Sequence, residues 1–277
     1  MLKVASLISG SSGNASFIKS EPNINLNSTS SSTSLLIDVG ASGKRLEEAL
    51  VLIGESSSDL TAILVTHEHI DHVRGLGVLA RRYRLPLYMT YLTWEQVKDM
   101  GLGIIKPELL RLFEAGDSFE INDLHIKSFS VSHDAADTVG YRIENSCGTV
   151  SMMTDVGFVD KRIVDELTGS DLVLIESNYD KDMLYEGSYP WNLKQRIDGD
   201  RGHLSNEQCA STIKELLDKG TKKFFLSHLS EENNTPDKAF SSTVERLADA
   251  GAVLDLDYFL QVSPRYRPGN PSFIGNF

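Results

Sequence analysis

This sequence predicts an α/β fold in which buried strands alternate with helices in stacked layers, and three observations carry that reading. Short apolar runs, many of them β-branched, recur along the chain between polar residues. Segments with helical spacing of apolar positions separate several of these runs. Five runs stop at a side chain able to bind a metal: His67, His133, Asp155, Glu176 and His228. Open α/β sheets bind ligands outside the carboxyl ends of their strands, and such an edge would give this pattern.

Residues 1–20 read as a strand, a Gly/Ser turn (Ser9-Gly10-Ser11-Ser12-Gly13-Asn14) and a second strand around Ala15–Lys19. Residues 21–34, dominated by Asn, Ser and Thr, read as a polar, mobile loop inserted between strands. Leu35-Leu36-Ile37-Asp38-Val39-Gly40 is a short strand closed by a turn, and a helix follows near Gly43–Ile53, with leucines at 46 and 50. Ile63–Val65 ends at Thr66-His67, and a helix is expected over His72–Tyr83. Strands at Ile126–Val131, Val150–Met153, Leu172–Ile175 and Phe224–Leu226 come next, with helices at Asp160–Thr168, Ser205–Lys219 and Asp237–Ala250. Ser205 with Gln208 three residues on forms a capping box that opens its helix. The expected organisation is one domain over 1–277, carrying the 21–34 insertion and a C-terminal tail at 262–277.

Composition narrows the function classes. Of 277 residues, 40% are apolar and 24% charged, ordinary for a soluble globular protein. No apolar run approaches the ~18 residues needed to span a bilayer. Met1–Ser6 shows no signal-peptide pattern. Two distant cysteines, Cys147 and Cys209, give no disulfide framework and no metal spacing, so a cytoplasmic setting is expected. The net charge of −12 argues against broad, non-specific nucleic-acid binding. It leaves room for an anionic substrate held at a metal-loaded cleft.

His67, His69, Asp71 and His72 fall within six residues, in a chain with only 7 histidines. Imidazole and carboxylate suit zinc, manganese or iron without thiolate. Four ligands this close do not readily share one tetrahedral ion. His67 and His69 can face one ion while Asp71 and His72 face another. Both ions then need ligands from distant segments, and His133, Asp155 and His228 stand at the ends of other strands to supply them. Two ions roughly 3.5–4 Å apart suit in-line displacement at a phosphoryl group. His125, inside a strand pattern, is expected to be structural and not a ligand.

The segment His67-x-His69-x-Asp71-His72 resembles the signature of the metallo-β-lactamase superfamily, as does the downstream order His133, Asp155, His228. The resemblance covers about residues 1–260 and implies a four-layer αββα sandwich with the metals at one edge. Ser9–Asn14, Glu176-Ser177-Asn178-Tyr179-Asp180, Gly202-His203-Leu204-Ser205-Asn206 and Ser227–Asn234 look like its YycJ (WalJ) branch. That branch is similar to the tRNA 3′-processing endonuclease and to PhnP-type phosphodiesterases. The resemblance implies that His67, His69 and His133 bind one ion, that Asp71, His72 and His228 bind the other, and that Asp155 bridges them. It further implies DNA 5′→3′ exonuclease activity and a link to cell-wall two-component signalling.

His203 precedes the capped helix and is expected to donate a proton to the leaving oxygen or hold a phosphoryl oxygen. Asp71 is expected to be catalytic as well as a ligand, orienting the nucleophile. Asp38 is read as a carboxylate that orients a ligand histidine; Glu176 either does the same or caps a loop. Ser11, Ser12, Gly13 and Asn14 either offer backbone N–H groups to an anion or form a plain turn. Arg74, Arg81, Arg82 and Arg84 read as a solvated face ahead of a phosphate contact. The expected function is a phosphodiesterase, and more narrowly a DNA exonuclease, using two Zn²⁺ or Mn²⁺ ions, with iron also compatible. The alternatives are a small-molecule or cyclic phosphodiesterase, a thioester or lactam hydrolase, and a non-catalytic metal-binding regulatory module.

Overall fold

The computed structural model describes residues 1–21 and 32–275. Strands β1 (Leu2–Ile8), β2 (Ala15–Ser20), β3 (Thr33–Ile37), β4 (Ala62–Leu64), β5 (Leu87–Thr90) and β6 (Leu110–Phe113) lie side by side in chain order. Strands β7 (Ser118–Ile121), β8 (Leu124–Ser130), β9 (Val139–Asn145), β10 (Gly148–Met153), β11 (Leu172–Glu176), β12 (Lys223–Ser227) and β13 (Phe259–Val262) form a second sheet, also in chain order. Strand β14 (Ser272–Ile274) returns to the first sheet and pairs antiparallel with β1. Both sheets are mixed: β3 to β6 run parallel, as do β10 to β13.

Period-two packing explains why these strands read as continuous apolar runs. On β3, Leu35 and Ile37 face the core between the sheets while Leu36 faces outward into a second core. On β11, Leu172 and Leu174 face the inter-sheet core, and Val173 and Ile175 face a third. A strand buried on both faces keeps no polar side. The outer cores are closed by helices. Helix α1 (Gly43–Leu52) contributes Leu46 and Leu50, and α3 (Leu76–Tyr83) contributes Leu76 and Leu79, on the first sheet. The short α2 (Ile70–Val73) precedes α3, and α4 (Tyr91–Val97) follows β5. On the second sheet lie α5 (Lys161–Leu167), α8 (Asn206–Asp218) and α9 (Pro236–Ala248), through Ile163, Ile213 and Leu247. Helices α6 (Lys181–Glu186) and α7 (Trp191–Ile197) occupy the connection between β11 and α8. The layers are therefore helix, sheet, sheet, helix, as expected. Among the described residues, no helix is long and apolar enough to cross a membrane.

Three boundaries differ from expectation. Most of the 21–34 insertion, residues 22–31, lies outside the described residues, whereas Thr33 and Ser34 belong to β3 and are buried. Of the 262–277 tail, the described residues 262–275 are tied into the fold: Val262 closes β13, and Ile274 packs into the inter-sheet core. The helix expected over His72–Tyr83 is two helices meeting at Gly75, where a Cβ would stand 2.4 Å from the Ala41 carbonyl oxygen. The capping box at Ser205 and Gln208 is present as read.

Candidate metal centre

The carboxyl ends of β3, β4, β8, β10, β11 and β12 gather at one edge of the sandwich, and six of the expected residues follow from them. Asp38 comes one residue after β3, His67 three after β4, His133 three after β8, Asp155 two after β10 and His228 one after β12, while Glu176 is the last residue of β11. Asp38, Asp155 and His228 take left-handed backbone, with φ of 60°, 57° and 54°. For residues other than glycine this costs roughly 1–3 kcal/mol each, and it turns each chain sharply at its strand end. Asp71 and His72 sit on α2, whose backbone is pressed against Gly40. A Cβ on Gly40 would lie 1.5 Å from the Asp71 carbonyl oxygen, so only glycine lets the two segments meet.

The geometry brings together the seven ligand-type side chains expected from the sequence. His67, His69 and His133 offer nitrogens within 4.8 Å of one another; Asp71, His72 and His228 offer an oxygen and two nitrogens equally close, as do His67, His72 and Asp155, and Asp155, Glu176, His203 and His228 form a fourth such group. Asp155 reaches both sides. Its Oδ2 lies 2.7 Å from His228 Nδ1 and 3.2 Å from His72 Nε2, and its Oδ1 lies 3.7 Å from His133 Nε2.

Hydrogen bonds fix which nitrogen each ring presents. The Asp38 carboxylate accepts from the Thr66 backbone N–H and the Thr66 hydroxyl, each at 2.8 Å. The hydroxyl has one proton and gives it to Asp38, so at 3.0 Å it accepts from His67 Nδ1. The His67 lone pair is thereby placed on Nε2, a buried atom with no hydrogen-bond partner. Burial and then the neighbouring His72 drive the His67 pKa well below its usual value, which keeps the ring neutral. His133 likewise donates from Nδ1 to the Gly202 carbonyl at 3.0 Å, and its Nε2 stands 3.3 Å from His69 Nδ1. Two nitrogens bonded at ~2.0–2.1 Å to one tetrahedral ion would stand roughly that far apart.

On the other side, His72 Nδ1 lies 2.8 Å from Asp38 Oδ2. Burial opposes a charge on His72, but Asp155 and Asp38 outweigh it and hold its pKa well above normal. Burial likewise opposes a charge on Asp155, yet His228 and His72 hold its pKa well below the carboxylate range. Buried carboxylates here favour positive charge beside them. The donor set, the orphaned His67 Nε2 and this charge demand all fit divalent cations.

His203 stands beside the cluster, half-buried. Its Nδ1 lies 2.7 Å from Glu176 Oε1. Burial alone would lower its pKa, but the Glu176 carboxylate pushes it up to about 9. Glu176 is wholly buried, and its Oε2 also accepts from the Val156 N–H at 2.8 Å and the Leu204 N–H at 3.3 Å. It thus ties two loops together and orients His203, which is not among the histidines expected as ligands.

The structure also places the other candidate residues. In the Gly/Ser turn, the Gly13 and Asn14 backbone N–H groups are spent on Gly10 and Asp71 carbonyls, so they are not aimed at an anion. The Asn14 side chain reaches the cluster instead, with Nδ2 3.2 Å from Asp71 Oδ2 and 3.0 Å from His72 Nε2. Arg81 donates to the Leu102 carbonyl, Arg82 pairs with Glu47, and Arg74 reaches the Ser12 carbonyl, so this run largely serves the fold. His125 is half-buried on β8, its side chain 42% accessible and paired with Glu120, away from the cluster. Both cysteines are free; Cys209 is buried, and burial pushes its pKa up. Sequence reasoning missed Thr66 and Thr154, whose hydroxyls contact His67 Nδ1 and, at 2.9 Å, His228 Nδ1. A signal was present: a Ser or Thr directly precedes His67, His133, Asp155 and His228.

The profile described as the beta-lactamase superfamily domain matches residues 33–229. A protein named exodeoxyribonuclease WalJ, from Streptococcus pneumoniae serotype 2 (strain D39 / NCTC 7466), is 40% identical over 257 residues, covering 92% of both chains. One named exodeoxyribonuclease YycJ, from Bacillus anthracis, is 37% identical over 245 residues, covering 88% of this chain and 89% of that one. Among solved structures, the metallo-β-lactamase fold protein YhfI from Bacillus subtilis superposes with a TM-score of 0.68 at 15% identity, covering 97% and 98% of the two chains.

Proposed function

This chain belongs to the metallo-β-lactamase superfamily, and from that premise we propose that it is a metal-dependent phosphodiesterase that shortens DNA from an end, in the 5′→3′ direction. The convergence of seven ligand-type side chains beside a carboxylate-held His203 carries this reading. The names of the two relatives support DNA as the substrate.

His67, His69 and His133 would hold one divalent ion, Asp71, His72 and His228 a second, and Asp155 would touch both. Zn²⁺ and Mn²⁺ suit these ligands, and iron is compatible. When bound, such a pair supplies electrophilic stabilisation of phosphoryl oxygens and a source of nucleophile at neutral pH. The protein's own groups do the rest. Asp71, partly open at the cluster, accepts from Asn14 and orients the attacking oxygen. His203 presents Nε2 to the leaving oxygen and donates its proton there, while Glu176 fixes the ring through Nδ1 and sustains its charge.

End-labelled linear DNA incubated with Mn²⁺-loaded protein tests the proposal. The expected result is progressive shortening from the 5′ end, with closed circular DNA left intact. Elemental analysis should give two metal equivalents per chain; saturation at one would remove the binuclear assignment. Turnover of a bis-aryl phosphate with every linear nucleic acid untouched would replace the exonuclease by a small-molecule phosphodiesterase.

A further inference from the structure

Two arginines are fastened by Nε to the loop that carries His133. Arg201 donates from Nε to the His133 carbonyl at 3.0 Å, and Arg196, near the end of α7, donates from Nε to Asp134 Oδ2. The other oxygen of Asp134 lies 3.3 Å from His133 Nε2, the nitrogen assigned to the first ion. The Arg196 guanidinium therefore stands one carboxylate's width from a ligand atom of the cluster. Arg201 precedes His203 by two residues, and the His133 and His203 ring centroids are 5.2 Å apart. Both arginines thus flank the His203 side of the cluster, each through contact with His133 or its neighbour.

The segment that carries them is well tied. Ser132 donates its hydroxyl proton to the Asp200 carbonyl at 2.7 Å, His133 Nδ1 bonds to the Gly202 carbonyl, and the His203 N–H bonds to the Ile197 carbonyl at 2.9 Å. Using Nε alone leaves the two Nη groups of each arginine, and among the described residues none of the four donates a hydrogen bond within the protein. The Arg196 side chain is 58% accessible, and Arg201 is exposed and forms no ion pair among the described residues. Guanidinium forks match the oxygens of a phosphate, and a fork already held in place loses little freedom on binding one. In a chain of net charge −12, a local pair of cations is what a polyanion can approach.

Resting on the 5′→3′ exonuclease reading above, we propose that Arg196 and Arg201 bind the 5′-terminal phosphate of a DNA strand. Digestion from the 5′ end breaks the bond between phosphorus and the 3′ oxygen of the terminal nucleotide. Water adds to phosphorus, the 3′ oxygen leaves and takes the His203 proton, and the released nucleotide carries its own 5′ phosphate away. That phosphate belongs to the leaving group and so to the His203 side, where the arginines stand. The shortened strand is left with a new 5′ phosphate, so each turnover regenerates the group that the arginines read. Asp134 acts as a positioning residue for Arg196. Reading a terminal phosphate accounts for end recognition without an arm to embrace the substrate.

The test compares one linear DNA bearing either a 5′ phosphate or a 5′ hydroxyl, digested by the Mn²⁺-loaded protein. The phosphorylated end should show a KM roughly tenfold lower, as charge-assisted hydrogen bonds to one phosphate allow. Arg201→Ala and Arg196→Ala should each erase most of that preference, and Arg201→Lys, which keeps the charge but not the fork, should recover only part of it. Fluorescence anisotropy of the metal-loaded protein with the same two ends, made resistant by a first phosphorothioate linkage, should show the same preference in affinity. Elemental analysis of the variants should give the wild-type metal content. Equal affinities in the wild type, or an undiminished preference in both alanine variants, would overturn the subsite. A preference lost only together with metal would assign the arginines to holding His133 and would overturn it as well. If the affinity preference is present and falls in the variants while no DNA is digested, the subsite stands and the exonuclease reading fails. If both ends are digested alike, the exonuclease stands and the subsite falls.

Discussion

The two sheets build their halves of the cluster by different means. On the first sheet, one buried carboxylate serves two rings: Asp38 holds His72 directly and His67 through the Thr66 hydroxyl. These partners lie close in sequence, with Asp38 28 residues from Thr66 and 34 from His72. On the second sheet each ring has its own distant support. His133 bonds to Gly202, 69 residues on, and His228 to Thr154, 74 residues back. Support on the first sheet is concentrated in one carboxylate, whereas on the second it is spread over the Gly202 carbonyl, the Thr154 hydroxyl and the Asp155 carboxylate, and depends on strand ends meeting. A single substitution should therefore do more damage on the first sheet.

The largest expected effect tests a first-sheet side chain at the reacting atoms. Asp71→Ala should abolish turnover, by roughly a thousandfold or more, since such electrophilic sites contribute several kcal/mol to the transition state. The fold should survive, because Asp71 projects from the first turn of α2 at the sheet edge and belongs to no apolar core. Circular dichroism and turnover of the same preparation decide this, and near-normal activity would remove Asp71 from the mechanism.

Asp38→Asn tests the concentrated support itself. It weakens the anchor of both rings, and partners of metal-binding histidines typically contribute 10- to 100-fold in metal affinity. Competition with a chelator should show a loss in that range. Thr154→Val removes one hydroxyl from His228 on the second sheet and should cost several-fold less. Equal losses would show that the two halves do not differ.

Glu176→Gln addresses the second sheet without removing a ligand. Burial opposes a charge on His203, but the Glu176 carboxylate pushes its pKa up to about 9. The charged pair thus contributes stability that is complete below about 6.5 and fades as pH rises through about 9. With Gln at position 176, proton NMR should find the His203 transition moved down towards 6.5 and that alkaline loss of stability reduced. Metal content should stay at the wild-type value. An unmoved transition would show that the carboxylate does not set the charge on His203.

This contrast also explains what could be read in the sequence. Layer order was legible because strands such as β3 and β11 are apolar on both faces and so appear as unbroken runs. The first-sheet half of the cluster was legible because its ligands crowd into His67–His72, with Asp38 on the preceding strand. His133, Asp155 and His228 could be nominated only as strand-end residues, since nothing local says that β8, β10 and β12 finish at one edge. The double role of Glu176 depends on three loops converging on one carboxylate. The two readings of the Gly/Ser turn stayed open for a similar reason: the turn could be read, but not the Asp71 carbonyl that takes the Asn14 N–H. Strand β14 was missed because three residues after the spaced Pro264, Pro268 and Pro271 carry too little periodicity to stand out.

The smallest expected effect concerns the one histidine that the fold sets apart. His125 points from β8 to Glu120 on the neighbouring β7, and both side chains reach solvent. An exposed pair of this kind gains little, because water screens it and ordering two side chains offsets the attraction. His125→Ala should change stability by less than about 0.5 kcal/mol. It should leave metal stoichiometry and turnover unchanged, although β8 also leads to His133. That combination is informative because His125 and His133 lie eight residues apart around one strand yet differ completely in surroundings. If the distributed support of the second sheet is right, what fixes His133 is the Gly202 carbonyl and not the outer face of β8. Thermal unfolding and elemental analysis of His125→Ala measure both quantities. A metal loss in this variant would show that the outer face of β8 takes part in placing His133, and the distributed account would have to include it.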